Sequence, residues 1–161
     1  MATTRERMEF TEGEPEPVLE RIGSMLGRAR GDWVNFEPMV DDTVIGELAV
    51  RRGVAGWFSA RGSDLPYATL LAPVDGARPA VGSLGLQHGG GPKAVRALTA
   101  AGITAPDGWI LRQDHPKRGL VFQQQGVVDA GQTLEFVFAA ARRLCPVELD
   151  GRWSAVIHLV G

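Results

Sequence analysis

Short apolar runs that follow one another through short connections dominate the chain after its first 31 residues. Between Asp32 and Pro73 these runs are WVNFEPMV, VIGELAV, GVAGWFSA and YATLLAP. Their length and their content of Val, Ile and aromatic residues are typical of β-strands. The segment RRG is short enough for a tight hairpin, and RGSDLP predicts a longer loop. Because a parallel crossover needs roughly a dozen residues or more, strands joined so closely are expected to run antiparallel.

The same kind of pattern returns towards the C-terminus. WILRQ and GLVFQQQ, joined by DHPKR, predict a further hairpin. RWSAVIHLV alternates in a way that predicts a strand buried on one side and partly buried on the other. In the irregular passage VDGARPAVGSLG a further short strand is expected.

Three other segments carry apolar residues at helical spacing, and they cover residues 17–31, 92–102 and 129–146. The third begins with a variant of the capping box, which makes it the best specified of the three. In the first, Gly23 and Gly27 each cost about 1 kcal/mol of helix propensity relative to Ala. They either allow the helix to pack closely on a sheet or occupy surface positions where glycine is tolerated.

The order of these elements predicts an α+β fold. Helices fall at the start, the middle and near the end, with groups of strands between them, so a mostly antiparallel sheet of about six to eight strands with three helices packed against it is expected. Residues 15–161 are expected to form a single domain, and residues 1–14 a mobile N-terminal leader. A chain of 161 residues buries enough apolar surface for such a domain without metals or disulfides.

Composition and charge exclude several classes of function. Seventeen basic and nineteen acidic residues leave a net charge of −2, and no stripe of Lys and Arg indicates nucleic-acid binding. No apolar run reaches the ~20 residues that span a bilayer. The single cysteine and the absence of a secretory leader favour a cytoplasmic protein. His88, His115 and His158 have no metal-ligand spacing, so no metal site is predicted.

The stretch GLQHGGGPKAV, residues 85–95, contains the strongest candidate for a ligand site. Free N–H groups at the start of the following helix favour an anion, and nearby basic side chains would add charge. The competing interpretation is a turn that only positions the helix. The predicted ligand-binding residues are His88, Gly89, Gly90, Gly91, Lys93 and Arg96.

Two catalytic motifs share letters with this loop, and neither fits. A P-loop needs Lys and then Ser or Thr directly after its second glycine, whereas Gly90 is followed by Gly91 and Pro92. His88 and the three glycines resemble the oxyanion loop of lipases and esterases, but no serine lies between glycines at plus and minus two. Cys145, at the end of a helix, lacks the surroundings that activate a thiol. No catalytic residue and no cofactor are therefore predicted.

Two hypotheses for function remain. The first is a non-catalytic cytoplasmic domain that binds a protein partner or forms a homodimer through a sheet face or an edge strand. The order of elements resembles that of small bacterial α+β modules that bind other proteins, including secretion-chaperone-like domains, and this likeness implies no particular activity. The four tryptophans are expected in the core, and a surface-exposed subset would indicate a groove for a partner. The alternative is a small-molecule or anion-binding protein, or a small enzyme, that uses loop 88–93.

Overall fold

A computed structural model describes residues 2–52 and 62–161. These residues form one seven-stranded sheet and four helices. In chain order the elements are β1 (Thr3–Thr11), α1 (Glu16–Arg28), β2 (Trp33–Pro38), α2 (Asp42–Arg52), β3 (Tyr67–Leu71), β4 (Val81–Gln87), α3 (Ala94–Ala100), β5 (Trp109–His115), β6 (Gly119–Gln125), α4 (Ala130–Leu144) and β7 (Arg152–Val160). The strand order is β1-β7-β2-β3-β4-β6-β5, and every neighbouring pair is antiparallel.

The predicted α+β class with an antiparallel sheet is confirmed. The run YATLLAP contains β3, the irregular passage before residue 85 contains the start of β4, and the hairpin predicted after residue 108 is β5–β6. The predicted carboxylate cap at the start of α4 is confirmed, since Asp129 accepts a hydrogen bond from Gln132 N at 2.9 Å. Residues 2–52 and 62–161 contain four helices, where the sequence predicts three.

One face of the sheet is covered by α1, α3 and α4, which build the core with it. Helix α4 contacts both α1 and α3, and α1 also contacts β7. Every second strand residue points into this core, among them Trp153, Phe36 and Leu84, each at most 1% exposed. On the opposite face β2, β3 and β4 carry half-buried and exposed side chains instead, whereas Ser154 and Val156 of β7 are buried there.

Most of residues 1–14, the segment predicted as a mobile leader, lie in a strand of the sheet. Thr3–Thr11 form β1, an edge strand paired along its whole length with β7. Its apolar residues are few because only one side of the strand contacts the core, through Met8 and Phe10. Charged residues such as Arg5 and Glu9 are typical of edge strands, where they discourage pairing with other chains. The same charges made the segment resemble a leader.

The second predicted strand, VIGELAV, is wrong as well, because these residues lie in α2. Val44 is half-buried and Leu48 is buried in this helix. The two lie four residues apart, the spacing that places side chains on one face of a helix. The carbonyl of Asp41 accepts hydrogen bonds from Val44 N and Ile45 N and so starts the helix. The tight hairpin predicted at RRG is therefore wrong, since α2 continues through Arg52. The predicted strand GVAGWFSA lies outside the described residues.

Gly23 and Gly27 occupy open surface positions on α1, so the close-packing interpretation is wrong. A Cβ atom at either residue would have no heavy atom within 4 Å beyond the helix itself. We expect Gly23→Ala and Gly27→Ala each to raise the free energy of unfolding by about 0.5–1 kcal/mol, because alanine removes the entropic cost of glycine in a helix. Urea denaturation measures this gain, and a loss of stability in either variant would contradict it.

Candidate functional site

The glycine loop lies at one end of the sheet, among three other chain segments. It follows β4, residues 62–66 precede β3, and residues 116–118 join β5 to β6. Since β4 runs antiparallel to β3 and β6, all these connections meet at the same end. Cys145, at the end of α4, also reaches this place, where its thiol donates a weak hydrogen bond to the Asp64 carbonyl at 3.7 Å.

Close packing accounts for two of the three glycines in the loop. A Cβ at Gly89 would lie 3.1 Å from Asp64 Cα, and one at Gly90 would lie 2.9 Å from Leu144 Cδ2. Real Cβ atoms are rarely or never this close to other heavy atoms. The loop is therefore glycine-rich at these positions because other chain segments approach its backbone.

The N–H groups at the start of α3, where the sequence predicts an anion, already have an anionic partner within the chain. Asp114 Oδ1 accepts a hydrogen bond from Ala94 N at 3.3 Å, and Oδ2 accepts one from Val95 N at 3.1 Å. Lys93 and Arg96 are exposed. The ligand set predicted for His88–Arg96 stays a prediction, but two of the N–H groups at the start of α3 already donate to the Asp114 carboxylate.

Removing this carboxylate tests its structural role. We expect Asp114→Ala to lower the free energy of unfolding by about 1 kcal/mol, the usual effect of losing a side chain that caps a helix N-terminus. Asp107→Ala, at an exposed turn residue, is the matched control and is expected to change stability much less. Equal effects of the two substitutions, measured by urea denaturation, would show that the bonds to α3 contribute little.

His88 is buried, with 1% of its surface exposed, and its ring stabilises the loop. Nδ1 accepts a hydrogen bond from Gly90 N at 3.1 Å, so the neutral ring carries its proton on Nε2. Nε2 has no hydrogen-bond partner among the described residues. Burial lowers the pKa of His88, and the nearby Asp114 carboxylate offsets this only in part. The ring is therefore held neutral, which suits a structural role.

Because the folded-state pKa of His88 is lowered, the unfolded chain binds a proton more readily than the native protein does. We therefore expect stability to fall as the pH drops below about 6.5, the ordinary pKa of histidine. His88→Asn, which keeps an acceptor in place of Nδ1, is expected to reduce this loss between about pH 7 and pH 5. His158 has a lowered pKa too, from burial and from Arg5, so part of the loss will remain. An unchanged pH dependence in His88→Asn would contradict the assignment.

Cys145 and His115 are the other residues with reactive side chains near the glycine loop, and their surroundings also suit structural roles. Burial raises the pKa of the Cys145 thiol, which opposes thiolate formation. His115 Nδ1 accepts hydrogen bonds from Lys117 N at 3.1 Å and Arg118 N at 3.2 Å and thereby closes the β5–β6 turn. Within residues 2–52 and 62–161 no group of three His, Cys, Asp or Glu side chains is placed to hold a metal ion.

A more promising surface is the side of the sheet opposite α1, α3 and α4, here called the open face. Strand pairing arranges its residues in rows that run across the sheet. The upper row crosses all seven strands and contains Arg5, His158, Trp33, Leu71, Ser83, Gln123 and Ile110. The middle row contains Arg7, Val156, Asn35, Thr69, Gly85, Val121 and Gln113. The lower row contains Glu9, Ser154 and Glu37.

An aromatic and polar cluster lies at the centre of the open face. The rings of Trp33 and His158 are stacked, with centroids 4.5 Å apart and planes inclined by 7°. Thr69 Oγ1 donates to Asn35 Oδ1 at 2.9 Å, and the Asn35 amide nitrogen lies 3.4 Å from His158 Nε2. These contacts hold the Trp33 ring in place on the face. A fixed aromatic ring of this kind loses little conformational entropy when a partner covers it.

The charges of the open face are divided between its rows. Arg5 lies in the upper row, whereas Glu9 and Glu37 lie in the lower row. Burial and the Glu37 carboxylate raise the pKa of Tyr67, and the Thr69 side chain and then Arg5 oppose this shift. Arg5 also lowers the pKa of His158, so its guanidinium acts on groups of more than one strand. Along the upper and lower rows the face therefore has one basic residue, Arg5 at its β1 end, and two acidic residues, Glu9 and Glu37.

The sequence predicts binding through a sheet face or an edge strand, but it does not indicate which residues form that surface. Trp109 and Trp153 are buried as expected, but Trp33 is only half buried and points away from the core. The available signal was the alternation in WVNFEP and RWSAVIHLV, which separates Trp33 and His158 from the core-facing residues. Their stacking could not be predicted, because it depends on the register between β2 and β7.

Comparisons with known proteins add no family to this description. No family model matches the chain, and neither a curated protein nor a solved structure resembles it significantly. Among the helices of the described residues, none has the length and the apolar character that crossing a bilayer demands.

Proposed function

We propose that the protein is a non-catalytic binding module that engages a protein partner through the open face. The observation that supports this most directly is the upper row, in which Trp33, Leu71 and Ile110 lie across a sheet face that helices α1, α3 and α4 leave uncovered. Leu71 is 39% exposed and Ile110 is 51% exposed. Apolar and aromatic side chains combined with a polar rim are typical of protein interfaces. We also infer a cytoplasmic location, which is supported by the free thiol of Cys145.

The alternative, an anion at loop 88–93, has less support because Asp114 accepts hydrogen bonds from the first two N–H groups of α3. A thermal-shift titration with inorganic phosphate separates the two. We expect no rise in the unfolding temperature, since phosphate would have to displace a carboxylate that belongs to the fold. A rise that Lys93→Ala abolishes would favour the anion-binding alternative.

Site-specific photo-crosslinking in the native host tests the proposal directly. A photoreactive amino acid is placed at residue 71, which lies on the open face, and in a second variant at residue 24, an exposed position on α1. Specific adducts with a protein are expected from residue 71 and not from residue 24. If residue 71 yields no adduct, or both positions yield the same ones, the open face is not the binding surface.

A further inference from the structure

We propose that the partner of the open face is a second copy of this chain, packed face to face about a twofold axis that runs across the strands. This inference rests on the proposed function and names its partner. Two sheets that pack face to face keep their strands within about 30° of each other. The rows of one copy would then lie against the rows of the other.

The charge pattern favours this axis over one along the strands. An axis across the strands keeps each strand opposite its own copy and exchanges the upper row with the lower row. Arg5 of each copy then faces Glu9 of the other, so two oppositely charged contacts form by symmetry. An axis along the strands would keep the rows in place, and Arg5 would face uncharged residues of its own row.

The middle row lies on the axis, so it faces the middle row of the other copy. Its residues are compatible with this contact. Val156, Thr69, Gly85 and Val121 are small or apolar, and Gly85 lets the two sheets approach closely at that point. Arg7 would approach its own copy at the rim, and its charge is balanced within the chain by Glu9, 4.0 Å away. The side chains of Arg7 and Glu9 are 55% and 61% exposed, so both are able to reorient.

The open face is large enough for a specific dimer. Seven strands about 4.8 Å apart and five residues of about 3.4 Å give it dimensions of roughly 30 by 17 Å. Two such faces would cover roughly 1,000 Å² in total, the size at which specific interfaces begin. The apolar residues of the upper row, including Trp33 and Leu71, would be removed from water in the same step.

A charge exchange between two copies is the decisive test. Sedimentation equilibrium over a series of concentrations is expected to show a dimer for the unmodified chain. Arg5→Glu makes the facing pair Glu–Glu, and Glu9→Arg makes it Arg–Arg, so each variant alone is expected to dimerise about a hundredfold more weakly, roughly tenfold for each of two repulsive contacts. An equimolar mixture of the two variants restores both opposite-charge contacts and is expected to form a heterodimer.

Matched controls place the same charge changes elsewhere. Arg96→Glu on α3 and Glu20→Arg on α1, both at exposed positions away from the open face, are expected to leave dimerisation unchanged. Circular dichroism and the unfolding temperature confirm that each variant is folded. If a variant fails to fold, Leu71→Arg, at a partly exposed position of the face, takes its place as the disrupting change.

The outcomes distinguish this inference from the proposed function. A chain that stays monomeric at every concentration, or a dimer that both charge variants leave intact, overturns the inference. A crosslinked adduct from residue 71 with twice the mass of the chain supports it. An adduct of another mass supports the proposed function but assigns the face to a different protein, and the absence of any adduct overturns both.

Discussion

Arg28→Ala is expected to lower the free energy of unfolding by about 3 kcal/mol, because it leaves a buried carboxylate without its counter-ion. Asp32 is fully buried, and Arg28 Nε lies 2.8 Å from its Oδ2 without the alignment of a hydrogen bond, so their contact is an ion pair. Asp32 Oδ1 accepts a hydrogen bond from Val160 N at 2.6 Å. The pair therefore joins the end of α1 to the end of β7.

The cause of this loss of stability is tested by removing the Asp32 charge, which Arg28→Ala leaves unpaired. Asp32→Asn keeps an oxygen for Val160 N but carries no charge. In the Arg28→Ala background it is expected to recover about 1 kcal/mol or more, since no charge then remains in the protein interior. Urea denaturation of the two single variants and the double variant measures the coupling. If Asp32→Asn destabilises the Arg28→Ala protein further, the buried charge is not the source of the loss.

Gly119→Ala is expected to cost about 3–5 kcal/mol, the sum of left-handed backbone strain and severe overpacking. Gly119 begins β6 with a φ of +77°, a conformation that favours glycine. An added Cβ would overlap the carbonyl oxygen of Leu86 and lie 2.9 Å from Gln87 Cα. Both are backbone atoms of β4, so relief requires the β4–β6 pair to separate at its end.

Gly76→Ala is the matched control for this substitution. Gly76 has the same φ of +77°, but an added Cβ would have no heavy atom within 4 Å. We expect Gly76→Ala to cost only the left-handed strain, about 1–2 kcal/mol. The difference between the two variants measures the collision with β4 alone, and similar losses of stability would mean that β4 moves aside easily. Circular dichroism thermal melts with urea denaturation give both values.

The two errors in element prediction have a common physical origin. The strand β1 has an edge position, so half of its surroundings are solvent and its sequence contains few apolar residues. Helix α2 buries only Leu48 fully among its described side chains, and its β-branched residues Val44 and Ile45 favour strands in isolation. In both segments the apolar periodicity is weak because few side chains contact the core.

The glycine loop illustrates a different limit. Its sequence carries features of an anion site, a glycine run before a helix with basic residues nearby. The partner that fills this place, Asp114, lies some twenty residues away on β5. The pattern around residues 88–93 contains no information about that distant carboxylate. Only the position of β5 beside β6 brings it to the start of α3.

The amino-acid sequence alone determined the α+β class, the antiparallel direction of neighbouring strands and the start of α4. These features depend on side-chain periodicity and connection length, which are local properties of a chain. The tertiary structure decided the pairing of β1 with β7, the capping of α3 by Asp114 and the open face with its Trp33–His158 stack. The β1–β7 pairing and the open face depend on the register between strands that are distant in sequence, and the capping of α3 depends on where the β5–β6 hairpin pairs with β4. Both are set by the packing of the whole sheet against its helices.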